Sequence, residues 1–149
     1  VMFIKRPLSL ILVAALVCVV PAAADDIALS LVPGQDRIDI PVSAVTRVEA
    51  EALFTYVLIE TQEVRSIPSP HVEICFTAAI KERICQLTSR IVEQPLNIVV
   101  DCAVISSPIV REPLCKMPCF QISANDIFEA NALAQRLRQG SNRRCAPVS

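Results

Sequence analysis

Residues 97–106 read NIVVDCAVIS. Two apolar, largely β-branched runs, Ile98–Val100 and Ala103–Ile105, flank Asp101-Cys102, which is the spacing of a two-residue hairpin turn. A type I′ turn at this place normally takes Asp-Gly, because both central residues need positive φ. A cysteine in the glycine position carries a left-handed penalty of about 1 kcal/mol, which a disulfide from the turn tip to a neighbouring loop would offset. The stretch therefore reads as an antiparallel hairpin with a stapled tip. Pro108, Ile109–Val110 and Arg111-Glu112-Pro113 follow it. In an extended segment the side chains of Arg111 and Glu112 point to opposite faces, and the flanking prolines leave part of an edge unpaired.

Working upstream, Ile80, Ile84, Leu87 and Ile91 recur at helical spacing, with Lys81, Glu82, Arg83 and Arg90 mostly on the other side, so a helix is expected near 78–92. Thr77 is placed to cap it with its hydroxyl, and Gln94-Pro95 ends it. Before this helix, Val72–Phe76 (VEICF) reads as a strand with Val72, Ile74 and Phe76 on one face and Cys75 on the other. Ser66–Pro70 (SIPSP) reads as a stiff connector. Phe54–Glu60 is expected to be a strand, and 42–53 mixes helix and strand signals. Ile27–Val32 is a first strand ending at Pro33-Gly34, with a loop expected over 35–41.

Working downstream, Cys119–Ser123 (CFQIS) is a further short strand. Asp126 and Glu129 form a capping-box-like pair in front of a second helix near 126–139, whose buried stripe is Ile127, Ala130, Leu133, Ala134 and Leu137. Gly140 stands where a left-handed C-cap is required. Together these elements give an α+β fold in which a small, mainly antiparallel sheet carries two helices on one face, stapled by disulfides.

The N-terminus has the layout of a secretory signal. Lys5 and Arg6 precede an uncharged apolar run, Leu8–Val20, and Ala22-Ala23-Ala24 offers a cleavage site. Residues 1–24 are assigned to this signal, 25–71 to an N-terminal strand region, 72–140 to the rest of the same domain, and 141–149 to a polar tail. Loss of Lys5 and Arg6 turns 14 basic and 15 acidic residues into 12 and 15, a net charge of −3. That balance offers no footprint for nucleic acid or an anionic membrane surface. No second stretch is long and apolar enough to span a bilayer.

Six cysteines lie beyond Cys18: Cys75, Cys85, Cys102, Cys115, Cys119 and Cys145. In an oxidising compartment an even number reads as disulfides, with roughly fifteen connectivities open if all of them pair. At least two bridges are expected, one of them joining Cys102 to Cys115 or Cys119. The alternative is a redox or zinc protein built on the cluster, with Cys102, Cys115, Cys119 and Cys145 as four ligands. Cys115-Lys-Met-Pro-Cys119 has three intervening residues and sits between strands, unlike a C-x-x-C at a helix start. Disulfides are the preferred reading.

No catalytic set is apparent. His71 is the sole histidine, reads as an exposed loop residue and has no nucleophile motif beside it. The carboxylates are scattered, and two glycines leave little room for a phosphate loop. A non-enzymatic binding module without a cofactor is expected. A secreted, disulfide-stabilised factor acting on a host or competitor is a further reading of the same features.

The C-terminal half also carries an ordered series of short motifs: Leu87-Thr88, Gln94-Pro95-Leu96, Ile98-Val99-Val100-Asp101, Val104-Ile105-Ser106, Pro108 to Pro113, Gln121-Ile122-Ser123, Glu129-Ala130-Asn131, Leu133-Ala134 and Leu137-Arg138. From Val72 to Gly140 this succession resembles the head subdomain in the large periplasmic domain of SecD, the accessory subunit of the Sec translocase. The resemblance implies an α+β head and contact with polypeptide; the partly unpaired edge at Pro108 to Leu114 then puts Arg111 and Glu112 at the rim of the binding site. SecD-like heads place glycine where this chain has Cys102, Glu93 and the Cys115–Cys119 loop. SecD also has transmembrane helices for proton-coupled work, so the resemblance does not extend to that activity.

Overall fold

The computed structural model describes residues 25–141, so the signal assigned to 1–24 and Cys145 in the tail lie outside the described residues. The strands are β1 (Ile27–Val32), β2 (Ile38–Pro41), β3 (Val45–Leu58), β4 (Glu63–Phe76), β5 (Asn97–Val100), β6 (Ala103–Ser106) and β7 (Cys119–Ser123). The helices are α1 (Ala78–Ser89) and α2 (Ile127–Gln139). All pairings are antiparallel, and the strands divide between a four-stranded sheet, β2-β1-β5-β6, and a three-stranded sheet, β3-β4-β7. The α+β class, the two helices and the disulfide staples agree with the sequence.

One apolar core joins both sheets and both helices. It takes Leu31 and Ile40 from the first sheet, Val72 and Ile74 from the second, Ile84 and Leu87 from α1, and Leu133 and Leu137 from α2. α1 buries Ile80, Ile84 and Leu87, with Ile91 buried just beyond its end, and α2 buries Ala130, Leu133, Ala134 and Leu137, with Ile127 only partly buried. At α2 the Asp126 carboxylate accepts from the Glu129 N–H at 2.7 Å, while the Glu129 carboxylate accepts from Asn125 N–H at 2.7 Å. The reciprocal cap is present, shifted by one residue at its second bond. Gly140 ends α2 at φ 67°, and a Cβ there would lie 2.5 Å from Val42 Cγ2. Thr77 does not cap α1 through its hydroxyl; its N–H donates to the Ala44 carbonyl instead.

Three strand assignments are corrected. The 35–41 loop contains β2, whose Ile38 and Ile40 are buried against β1. The mixed signals of 42–53 resolve into a single 3-10 turn, Val42–Ala44, and a long strand, β3. Ser66–Pro70 is not a connector but part of β4. Its prolines are tolerated because β7 pairs only with His71–Cys75, leaving Pro68 and Pro70 in a two-stranded arm whose outer side needs no ladder donor. His71 is buried, not exposed: Nδ1 lies 2.7 Å from the Ser69 carbonyl, and Nε2 lies 3.7 Å from Glu51.

Where β1 and β2 pair, Asp39 accepts from Ser30 Oγ and Arg37 Nε, each at 2.5 Å. Partial burial opposes its ionisation, but the hydrogen bonds from Ser30 and Arg37 and the charge of Arg37 outweigh that and hold its pKa below the usual range. A depressed carboxylate pKa stabilises the fold above the unfolded value, and that contribution disappears as pH falls through the folded value. Acid titration followed by urea melts should therefore show stability falling below about pH 4, with Asp39→Asn flattening this part of the profile.

Candidate functional site

The hairpin of residues 97–106 is present with its turn intact. Asp101 and Cys102 both hold positive φ, 50° and 66°. Arg136 of α2 fixes the turn by donating to the Asp101 carboxylate at 2.8 Å and the Val100 carbonyl at 3.3 Å. Glu93 also has φ 66°, so two of the places where SecD-like heads use glycine keep the left-handed backbone without it. The Glu93 conformation aims its N–H at the Val110 carbonyl, 2.7 Å away.

That bond starts the construction of a groove. The Val110 N–H donates back to the Gln94 carbonyl, and the Leu96 N–H donates to the Pro108 carbonyl, both at 2.9 Å. Residues 108–110 are thus laced to the turn after α1. Four residues on, the Leu114 N–H donates to the fully buried Thr88 hydroxyl at 2.9 Å, and this hydroxyl in turn donates to the Ile84 carbonyl at 2.7 Å. Cys115 is disulfide-bonded to Cys85 of α1, and Cys119 to Cys75 across the β4–β7 pair. The arch Lys116-Met117-Pro118 is therefore pinned at both ends.

Between this segment, β5 and β7 lies a cavity of about 300 Å³. Leu96, Ile98, Val110, Leu114 and Phe120 give it apolar walls, while Ile109 and Met117 stand exposed at the rim. Arg111, Glu112 and Gln121 supply the polar part of its lining. The two residues singled out from sequence are thus brought to one site. Arg111 does not pair with Glu112; its guanidinium meets Glu93 at 2.7 Å, with both side chains well exposed. An ion pair so open to water is weak and exchangeable, so Arg111 is available to another carboxylate. Met117, Ile109 and the apolar walls are not legible in the sequence, because they converge from segments far apart in the chain.

The cysteine pairing corrects the expectation for Cys102. It is disulfide-bonded, but to neither Cys115 nor Cys119, which have partners of their own. The turn tip lies instead beside Ile27 and Ser141. The four-cysteine zinc set is excluded on the same grounds, because Cys115 and Cys119 have no thiolate to offer. Glu73, Cys75 and Cys119 cluster closely, but the two sulfurs are bonded to each other and Glu73 is paired with Arg47. No helix among the described residues is long and apolar enough to cross a membrane.

Comparison with known proteins places this architecture. A solved structure described as "Structure and function of a membrane component SecDF that enhances protein export" shares the fold at a TM-score of 0.51 and 22% identity, covering 74% of this chain and 46% of that one. A crystal structure of SecDF in a super-membrane-facing form gives a TM-score of 0.48 and 20% identity, over 74% of this chain and 14% of the other. The chain thus spans under half the length of the first of these proteins. No curated protein sequence matches it. The family model for the SecDF P1 head subdomain matches residues 44–141, so the chain belongs to the SecDF P1 head family.

Proposed function

We propose that the chain is a non-catalytic head module, exported by its N-terminal segment, that holds extended segments of unfolded polypeptide in connection with protein export. The observation that carries this reading is the groove under Arg111 and Glu112, apolar inside and charged at the rim. Such a lining accepts side chains of many kinds with little demand on sequence. It lies against β7, the outer strand of the three-stranded sheet, where a guest backbone has a free row of donors and acceptors. A partner in extended form is thus held by backbone hydrogen bonds and by one or two apolar side chains in the cavity. The disulfides suit an extracytoplasmic setting. The acidic balance of the chain disfavours nucleic acid as a partner.

Titration of labelled unfolded peptides into the protein tests this. Saturable binding by high micromolar concentration is expected, weakened about two- to fivefold by Arg111→Ala or Glu112→Ala, as suits exposed charges. Met117→Asp, which puts a charge on the apolar rim, should weaken it further. Absence of binding, or binding indifferent to all three substitutions, would leave the head as a scaffold for an unrelated partner.

A further inference from the structure

The β3–β4 arm outgrows the rest of its sheet. β7 covers only His71–Cys75, so beyond them β3 and β4 continue as a bare two-stranded ribbon to the turn after Leu58. Isolated ribbons of this kind are marginal in water. This one is also apolar on both faces: Leu53, Phe54, Val57, Ile59, Val64 and Ile67 are between 38 and 87% exposed.

The two edges of the ribbon differ. The β4 edge carries Pro68 and Pro70, which cannot donate to a further strand. β3 has no proline over its whole length and carries no charge from Ala52 to Leu58. Near the body of the domain its Val48 carbonyl is occupied by Arg138, at 2.5 Å. Among the described residues no further strand pairs with the distal edge, which also lacks the charges by which proteins usually blunt such strands.

We infer that this edge pairs with the same edge of a second copy, β3 against β3 in antiparallel register about Tyr56. The stretch Phe54–Leu58 is self-complementary in that register: Phe54 meets Leu58 and Thr55 meets Val57, with Tyr56 on the axis. A symmetric dimer requires a surface that matches itself, and an antiparallel strand pair supplies the two-fold axis. Charge does not oppose this register, since the paired stretch Phe54–Leu58 carries no charged residue. The two domains lie beyond each other's turns, on opposite ends of the paired strands. The bare ribbon becomes four strands wide, which removes its instability. Pairing along the β3 edge joins backbones and the flanking Phe54, Thr55, Val57 and Leu58 side chains, a contact short of the roughly 1,000 Å² of a stable specific interface. The dimer is accordingly weak and concentration-dependent.

Sedimentation equilibrium of the protein from micromolar to sub-millimolar concentration should show a reversible monomer–dimer equilibrium. Val57→Lys sets two lysines diagonally across the two-fold axis and should weaken association about tenfold or more. Ser66→Lys, on β4 of the same ribbon, should leave it nearly unchanged. Circular dichroism melts of both variants identify any loss of folding, and Thr55→Lys serves in place of Val57→Lys if the latter is unfolded. A monomer throughout the range, or a dimer insensitive to lysine on β3, overturns the inference. So does a monomeric protein that adds an unrelated extended peptide at this edge.

Discussion

Ile84→Ala and Leu133→Ala should each destabilise the fold by about 2–5 kcal/mol in urea melts. Ile84 is 1% exposed and sits at the centre of the inner face of α1, between Ile80 and Leu87. Leu133 occupies the corresponding place on α2, beside the fully buried Ala130, Ala134 and Leu137. Truncation removes three side-chain carbons and leaves a cavity where two sheets and two helices meet, so the surroundings have little freedom to collapse into it. For a domain whose whole stability is about 5–15 kcal/mol, either change leaves a measurable unfolded fraction at modest urea concentration. Neutral behaviour of both variants would mean that the helix faces are wrongly assigned.

Removal of the Cys85–Cys115 disulfide, by paired substitution to alanine, should cost about 3–4 kcal/mol. The bond closes a loop of 30 residues in sequence separation and ties α1 to the start of the groove wall. The Cys75–Cys119 bond closes one of 44 and should have a similar effect. In the oxidised protein, peptide mapping should recover both pairs, and free thiol at any of these four positions would contradict the account. Hydrogen exchange adds a local readout. Without Cys85–Cys115, amides of residues 108–118 should exchange faster, while those of β1 and β5 keep their protection.

The helices were legible because their apolar stripes obey a 3.6-residue period over three turns, and the caps at Asp126 and Gly140 carry local signatures. The hairpin at 97–106 was legible despite Cys102, since two β-branched runs separated by two residues admit few other arrangements. The long arm was not. Pro68 and Pro70 argue against a central strand, and only the short reach of β7 explains why β4 accommodates them. His71 reads as a loop residue until the ladder places it opposite Glu51 and Ser123. Arg111 and Glu112 are legible as a polar point between prolines, but the contact of Arg111 with Glu93, across a loop, is not. Disulfide connectivity and the apolar walls of the groove are tertiary facts. Nothing local in Leu96, Met117 or Phe120 announces that they share a cavity.

We propose that an extended polypeptide is held in the groove between β5, β7 and the 108–117 segment. Nuclear magnetic resonance of the isotope-labelled protein, titrated with an unfolded peptide, tests it most directly. Shift changes are expected to concentrate at Leu96, Ile98, Ile109–Glu112, Met117 and Phe120–Gln121, with the amides of β1 and β2 unmoved. Changes confined to the β3–β4 arm or to the outer face of α2, or no changes at all, would contradict it.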